Sequence, residues 1–286
     1  ALRATALFRG WPVLEFRNGA TPRPGADLFD LLRPLLHPRL LPMRMEVEGI
    51  EHLPREGAFI VAANHRSYLD GLVLGAIGSR RGRKLRFLGK REIFEAPVLG
   101  HIAHAAGQIP VDRGSGSLRP LREALDALER GEAVAILPQG TIPRGEAFFE
   151  PGLRGRVGVA RLALASGAPV IPVALWGTED IWPRAARMPD PARLGDTVHA
   201  RVGEALYLKA ATGDEEDPAA LEALTQEVMD RIAELLPAHV RDAPSPSEEQ
   251  IVRATPTSQP VLREILGLPA RVALGALRGL PRAFGR

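Results

Sequence analysis

Short apolar runs alternate along the chain with longer segments in which apolar residues recur every three or four positions. The short runs are typical of buried strands, and the longer periodic segments are typical of amphipathic helices. The predicted strands, in chain order, are Met45–Glu48, Ala58–Ala63, Leu85–Leu88, Ile109–Val111, Ala133–Leu137, Pro169–Leu175 and Thr197–Val202. The predicted helices are a segment that begins near Asp70, then Pro97–Ala106, Ser117–Arg130, Gly152–Ser166, and a segment with an apolar stripe from Leu221 to Leu235.

Strands that alternate with helices predict a fold of the α/β class. We expect a single domain over residues 46–241, with a central, largely parallel sheet flanked by helices and with amphipathic segments at both ends of the chain. In such sheets, ligands bind beyond the carboxyl ends of the strands. The residues that directly follow the predicted strands are therefore the first candidates for a functional site.

The two ends of the chain differ in pattern from this domain. Residues 1–45 are apolar and basic, and the leucine-rich stretch Leu28–Pro42 predicts either a segment on a membrane interface or a helix packed on the domain. Residues 242–260 are rich in Pro, Ser and Glu and predict a linker. Residues 261–286 form a basic amphipathic tail, which predicts an in-plane anchor for anionic lipid. A disordered tail, or a helix docked on the domain, is the alternative.

Composition removes several classes of function. The 286 residues are 45% hydrophobic and 25% charged, as in ordinary globular proteins. The chain has no cysteine, so disulfides, a thiolate zinc site and a cysteine nucleophile are excluded. The net charge is only +3 and aromatic residues are 5%, so nucleic acid is not an expected partner. We expect no metal and no cofactor, and no apolar stretch is long enough to predict a transmembrane helix.

The polar segment Asn64–Asp70 separates the second predicted strand from the first predicted helix. Five residues apart on one helix, two side chains point about 140° apart, so His65 and Asp70 meet only if His65 lies in the turn before the helix. Asp70 can then accept the Nδ1–H of His65 and leave Nε2 as a base for a hydroxyl that attacks a carbonyl. A helix start capped by Asn64 or Ser67 is the alternative.

Further candidates follow or interrupt the later strands. Arg113 follows the fourth strand beside a glycine, where an arginine suits a phosphate oxygen. Pro172 lies inside an apolar strand and forfeits a ladder hydrogen bond, which predicts an edge or a bulge beside a site. The loop after the fifth strand combines a glycine, which permits close backbone approach, with polar side chains, although a simple Pro-Gly turn is the alternative. Its candidates are Gln139, Gly140, Thr141 and Arg144.

Four of these segments together resemble a known family. NHRSYLD, GQIPVDRG, LPQGTIPRG and APVIPVAL are similar, in this order, to the four motifs of the glycerophospholipid acyltransferases of the 1-acylglycerol-3-phosphate acyltransferase type. The resemblance runs from about Glu46 to about Val202. It implies acyl transfer from acyl-CoA or acyl carrier protein to a lysophospholipid hydroxyl, and most simply the conversion of 1-acylglycerol-3-phosphate to phosphatidic acid.

The resemblance also assigns roles to residues. It implies that His65 is the general base, that Asp70 orients it, and that Arg113 binds the acceptor phosphate. The whole set of predicted substrate-binding residues is Asn64, Ser67, Arg113, Gln139, Gly140, Thr141, Arg144 and Pro172. We expect the oxyanion donors to be backbone amides near the start of the helix after His65. The implied location is the cytoplasmic face of the cell membrane, peripheral or monotopic.

The third motif departs from the family pattern. The family usually has Glu-Gly-Thr-Arg where this chain has Gln139, Gly140, Thr141 and Ile142. The net charge of the four positions is preserved, but their hydrogen-bonding pattern is not. This change affects the identity of the acceptor rather than the base, and Arg144 is the candidate to replace the lost arginine. Another lipid or glycolipid acceptor, a hydrolase that uses water, and a non-catalytic membrane lipid-binding protein remain alternatives.

Overall fold

The structure is a computed structural model that describes residues 43–95, 103, 107–111, 121–150, 152–186, 188–211, 216–242 and 246–255. The predictions for the N-terminal segment, for Arg113 and for the C-terminal tail lie outside the described residues, as does most of the predicted helix Pro97–Ala106. These predictions therefore stay predictions.

All seven predicted strands are present in the described part of the chain, in one sheet with the order β1-β7-β6-β2-β5-β3-β4. They are β1 (Arg44–Glu48), β2 (Phe59–Ala63), β3 (Leu85–Lys90), β4 (Ile109–Val111), β5 (Ala133–Ile136), β6 (Val170–Trp176) and β7 (Thr197–Val202). Strands β2 to β6 run parallel to one another. Strand β7 is antiparallel to β6, and β1 pairs in parallel with β7, so these two strands run in the opposite direction. The predicted largely parallel sheet is confirmed.

Helices cover both faces of this sheet. The described helices are α1 (Asp70–Arg80), α2 (Arg91–Phe94), α3 (Arg122–Glu129), α4 (Gly158–Ser166), α5 (Thr178–Ile181), α6 (Pro218–Leu235), α7 (Ala238–Arg241) and α8 (Glu248–Ala254). The described connections also contain three short 3-10 helices, Ile50–His52, Gly145–Phe148 and Pro191–Arg193. Within the described residues, no helix combines the length and the apolar character needed to cross a membrane.

The central strand β2 is buried along its whole length because both faces of the sheet are covered. Its side chains alternate between two apolar cores. Phe59 and Val61 belong to the core that α1 closes with residues such as Ile77, and Ile60 belongs to the core closed by α3, α4 and α6. A continuous apolar run, rather than an alternating one, is the sequence pattern of such a strand.

Two predicted elements need correction. Helix α4 begins at Gly158 and not at Gly152, because the intervening segment makes contacts that a helix would not allow. Arg156 donates its amide hydrogen to Pro138 O, and a Cβ on Gly155 would lie 2.9 Å from a side-chain atom of Thr225 in α6. The predicted linker contains helix α8, which packs on the 3-10 helix Gly145–Phe148. Ser247 and Gln250 form a capping box at its start, a sequence signal that the composition of the segment obscured.

Candidate active site

The site lies at the carboxyl ends of three neighbouring strands, where the parallel sheet predicts it. His65 follows β2, Gln139 follows β5 on one side of β2, and Thr178 follows β6 on the other side. The side chains of these three residues converge on the turn between β2 and α1. The topology of the sheet thus brings together residues from distant parts of the sequence.

His65 and Asp70 are in direct contact. His65 lies in the turn before α1, Asp70 is the first residue of α1, and the distance from His65 Nδ1 to Asp70 Oδ2 is 2.8 Å. The side chain of His65 keeps 19% of its surface exposed, whereas that of Asp70 is fully buried. Because a carboxylate accepts, His65 donates Nδ1–H and its Nε2 is left as the basic nitrogen.

Asp70 is a buried carboxylate, and four hydrogen bonds within the described residues compensate for its lost hydration. Besides His65, its Oδ2 accepts the backbone amides of Arg66 at 2.7 Å and Ser67 at 2.8 Å. Its Oδ1 accepts the hydroxyl of Thr178 at 2.6 Å. The same carboxylate therefore orients the imidazole, shapes the turn that carries it and joins that turn to α5.

Gln139 holds the backbone of the histidine. Its Oε1 accepts the amide hydrogen of His65 at 2.6 Å, across 74 residues of sequence. This contact gives the first residue of the altered third motif a positioning role in the structure. A neutral amide oxygen is sufficient to make it, and the carboxylate that the family usually has here is not required for this bond.

Asn64 and Ser67, which we predicted to bind substrate, are buried and engaged with the protein itself. The side chain of Asn64 donates to Leu175 O at 2.8 Å and accepts from Leu175 N at 2.7 Å, so it extends the contact between β2 and β6. Ser67 Oγ donates to Trp182 O at 2.8 Å and accepts from Leu69 N at 3.1 Å. The structure therefore makes both of them positioning residues, and it corrects the substrate-binding prediction for them.

Pro172 lies away from this cluster. Strand β6 is a central strand and not an edge strand. The predicted bulge is present, because Val170 pairs with Leu206 whereas Val173 pairs with Val202. The chain therefore advances by three residues on β6 and by four residues on the segment that begins in β7. The proline ring packs against Gly203 in a groove at the opposite end of β6. We therefore correct the prediction that the bulge lies beside a site and that Pro172 contacts substrate.

The remaining candidates of the third motif lie in the loop after β5. Gly140 adopts φ +71°, in the left-handed region that favours glycine. Ile142 is buried, with 1% exposure, and its carbonyl accepts a hydrogen bond from Arg184 at 2.6 Å. Arg184 also donates to Thr141 Oγ1 at 3.1 Å, whereas Arg144 is exposed at the end of the loop. An arginine from another segment thus contacts the loop in which the family arginine is missing.

Sequence reasoning missed Thr178, Glu179 and Arg184. Glu179 forms an ion pair with Arg66, whose guanidinium also stacks over the ring of Phe148. These three missed residues lie on the segment that directly follows β6, so the rule that selects polar residues after a strand applies to them as well.

A histidine–aspartate pair at the carboxyl ends of a parallel sheet is chemically suited to proton transfer. The comparison with known proteins identifies the class of domain that carries it: residues 44–176 match the protein family described as Acyltransferase. This segment, just under half of the chain, is therefore similar to the acyltransferase family, in agreement with the resemblance predicted from the four motifs.

Two named relatives agree with that similarity. The lyso-ornithine lipid O-acyltransferase of Pseudomonas aeruginosa is 36% identical over 159 residues, which are 53% of this chain and 57% of that protein. The 1-acyl-sn-glycerol-3-phosphate acyltransferase of Bacillus subtilis is 27% identical over 133 residues, 46% of this chain and 63% of that protein. The chain thus spans only part of the length of these relatives.

The fold is similar to that in the crystal structure of the 1-acyl-sn-glycerophosphate (LPA) acyltransferase PlsC from Thermotoga maritima. The TM-score is 0.51 with 24% sequence identity, and the likeness covers 68% of this chain and 74% of that chain. This agreement confirms the predicted α/β architecture.

Proposed function

We propose that this chain is an acyltransferase that moves a fatty acyl group from acyl-CoA, or from acyl carrier protein, to the free hydroxyl of a lysophospholipid. The first candidate acceptor is 1-acylglycerol-3-phosphate, which would give phosphatidic acid. The observation that carries the proposal is the contact of 2.8 Å between His65 Nδ1 and Asp70 Oδ2 within a segment similar to the acyltransferase family.

The proposed reaction needs a base and no covalent enzyme intermediate. His65 Nε2 takes the proton of the acceptor hydroxyl while the hydroxyl oxygen attacks the thioester carbonyl, and Asp70 stabilises the imidazolium that forms. The tetrahedral intermediate then collapses, the carbon–sulfur bond breaks, and the imidazolium returns its proton to the departing thiolate. The products are the new ester and the free thiol, so atoms and charge balance without a cofactor.

Four of the backbone amides near the start of α1 are already engaged within the protein. The backbone amides of His65, Arg66, Ser67 and Leu69 already donate to side chains of the protein. Each amide carries a single hydrogen, so these four groups are not available to a developing oxyanion. The same contacts hold the turn that carries the imidazole.

A second candidate acceptor is favoured by a specific observation. The third motif has lost the family arginine, and the relative with 36% identity is named for a lyso-ornithine lipid acceptor. We therefore propose lyso-ornithine lipid as the alternative to a phosphate monoester.

The predicted amphipathic segments at both ends also support a peripheral position on the cytoplasmic face of the membrane. Sedimentation with anionic vesicles would test this position.

The test of the proposed function is acceptor-dependent release of CoA by the purified protein. A thiol reagent reads this release without background because the chain has no cysteine. We expect His65→Ala to lower the rate by about 100-fold or more, the usual cost of losing a general base. The matched control is His239→Ala, which removes an exposed histidine of α7.

Three outcomes would overturn parts of this proposal. Acceptor-dependent release that survives in His65→Ala would remove His65 from the role of base. Release that needs no acceptor, with free fatty acid as the product, would establish a hydrolase. Binding of lysophospholipid with no release from either thioester donor would establish a lipid-binding protein without this activity.

A further inference from the structure

Arg184 is a buried arginine with unused hydrogen-bonding capacity. Only 9% of the residue is exposed, and it lies in the loop after α5. Its Nη1 donates to Thr141 Oγ1 at 3.1 Å and to Ile142 O at 2.6 Å. Its Nε is buried and has no hydrogen-bond partner in the described part of the chain. An unsatisfied buried donor is costly, and one on a charged group more so, which makes it a pointer to a bound ligand.

The charge of Arg184 is also uncompensated. Among the residues that the structure describes, no carboxylate forms an ion pair with its guanidinium. Burial lowers the pKa of Arg184, nearby Tyr68 raises it, and the guanidinium of Arg144 lowers it further. Arg144 is therefore near enough for its charge to act on Arg184. A buried cation that the described residues leave without a carboxylate partner is costly unless an anion joins it.

The guanidinium of Arg184 is connected to the candidate active site through two sets of contacts. Thr141, which Arg184 contacts, is two residues from Gln139, and Gln139 holds the backbone of His65. Trp182, two residues before Arg184, accepts the hydroxyl hydrogen of Ser67 and packs on the ring of Tyr68 with centroids 5.5 Å apart. The guanidinium is thus tied both to the loop after β5 and to the turn that carries His65.

We propose that Arg184, with Arg144 beside it, binds an anionic oxygen group in the head group of the acyl acceptor. The guanidinium of Arg184 would replace the arginine that the family usually has at the position of Ile142. Arg184 lies 42 residues from Ile142 along the chain. Phosphate and carboxylate groups share the required chemistry, since both accept hydrogen bonds from an arginine. This proposal rests on the proposed function, because it names the acceptor site of that reaction.

The kinetic test compares Arg184→Gln with the matched control Arg193→Gln, which removes one exposed arginine from a neighbouring segment. Both variants are assayed with acyl-CoA and either 1-acylglycerol-3-phosphate or lyso-ornithine lipid. We expect Arg184→Gln to raise the KM for the acceptor by about tenfold or more, the usual cost of a lost charge-assisted hydrogen bond. The KM for acyl-CoA should stay within about twofold of wild type, and Arg184→Lys should restore part of the affinity.

The two acceptors distinguish the source of the anion. An effect with the glycerophosphate acceptor assigns the subsite to a phosphate, and an effect with lyso-ornithine lipid assigns it to a carboxylate. Unchanged KM values for both acceptors in an active Arg184→Gln variant would overturn the proposal. A larger KM for acyl-CoA alone would assign the arginine to the donor and would also overturn it.

A binding measurement keeps the proposal testable apart from the reaction. Inorganic phosphate and acetate are titrated into the wild-type protein, Arg184→Gln and Arg193→Gln, with thermal stability and the fluorescence of nearby Trp182 as readouts. We expect saturable binding of at least one anion in the wild type and the control, and loss of it in Arg184→Gln. Equal binding in all three proteins, or none in any, would overturn the anion subsite. Anion binding without CoA release would leave the subsite in place and reject the proposed function.

Discussion

At the scale of single residues, one carboxylate organises the candidate site. Asp70 joins the imidazole of His65, the turn that carries it and α5. Its bonds reach from Ser67, three residues away, to Thr178, 108 residues away. The spacing of His65 and Asp70 made their contact predictable, because it depends on only five residues of local chain. The bond to Thr178 depends on the pairing of β2 with β6, which no local pattern reveals.

Gln139 gives a prediction at this scale. We expect Gln139→Leu to lower kcat for acyl transfer by about tenfold or more, because the amide of His65 loses its acceptor and an unpaired polar group is left beside the base. We expect Gln139→Glu to stay within about tenfold of wild type, since a carboxylate oxygen can accept the same N–H. Steady-state CoA release measures both.

The two Gln139 variants control for each other, because they change the same contact by different chemistry. Circular dichroism and thermal melts of each variant exclude a general loss of fold. If Gln139→Leu were as active as wild type, the bond between Gln139 Oε1 and His65 N would have no role in positioning the base.

At the scale of elements, two glycines of helix α1 differ in how closely neighbouring residues pack against them. Gly71 and Gly78 lie in the same helix. A Cβ on Gly71 would meet nothing within 4 Å, whereas a Cβ on Gly78 would lie 2.7 Å from Leu85 Cγ and 2.9 Å from Arg83 O. The second glycine is therefore needed for close packing of α1 on the start of β3, and the first is not.

These two glycines give a prediction of opposite signs. We expect Gly71→Ala to raise the free energy of unfolding by up to about 1 kcal/mol, because alanine restricts the unfolded chain and favours a helix. We expect Gly78→Ala to lower it by about 1–3 kcal/mol, the usual cost of overpacking against backbone. Urea unfolding measures both, and equal effects of the two substitutions would contradict the packing seen at Gly78.

At the scale of the whole molecule, the sheet has two functionally different ends. The carboxyl ends of β2, β5 and β6 carry the candidate site. The opposite end carries a basic cluster, formed by Arg83, Lys84 and Arg86 with Glu132 among them. Arg83 donates to Gly57 O and Gly131 O, the carbonyls that precede β2 and β5, so this end stabilises the sheet. Burial and the charge of Arg86 lower the pKa of Lys84 to about 8, although Glu132 raises it.

Lys84 gives a prediction for the pH dependence of stability. An unfolded lysine has a pKa near about 10.4, so between about pH 8 and pH 10 the unfolded chain holds a proton that the folded protein has released. Below about pH 8, Lys84 is charged in both states, and the free-energy cost of burying that charge is fully present. Above about pH 8, the contribution of Lys84 to the free energy of unfolding rises with pH. Because Lys84 is partly exposed, we expect Lys84→Gln to lower the slope of the unfolding free energy against pH by only roughly a few tenths of a kcal/mol per unit.

The control for this prediction is Lys209→Gln, which removes an exposed lysine and should keep the wild-type slope. The measurement is chemical denaturation at several pH values between about 8 and 10, the window in which Lys84 titrates differently in the two states. Identical slopes for Lys84→Gln and the wild-type protein would show that Lys84 does not release its proton early.

The sequence by itself determined the class of the fold, the seven strands and the contact of His65 with Asp70. It also determined the similarity of residues 44–176 to the acyltransferase family. Each of these depends on local periodicity, on short spacing or on motifs in order. Only the tertiary structure decided where α4 begins, that Asn64 and Ser67 position the turn, that Pro172 lies away from it, and that Arg184 reaches the loop of Ile142. These features depend on strand pairing and burial across long stretches of chain, and such contacts leave no local periodicity to read.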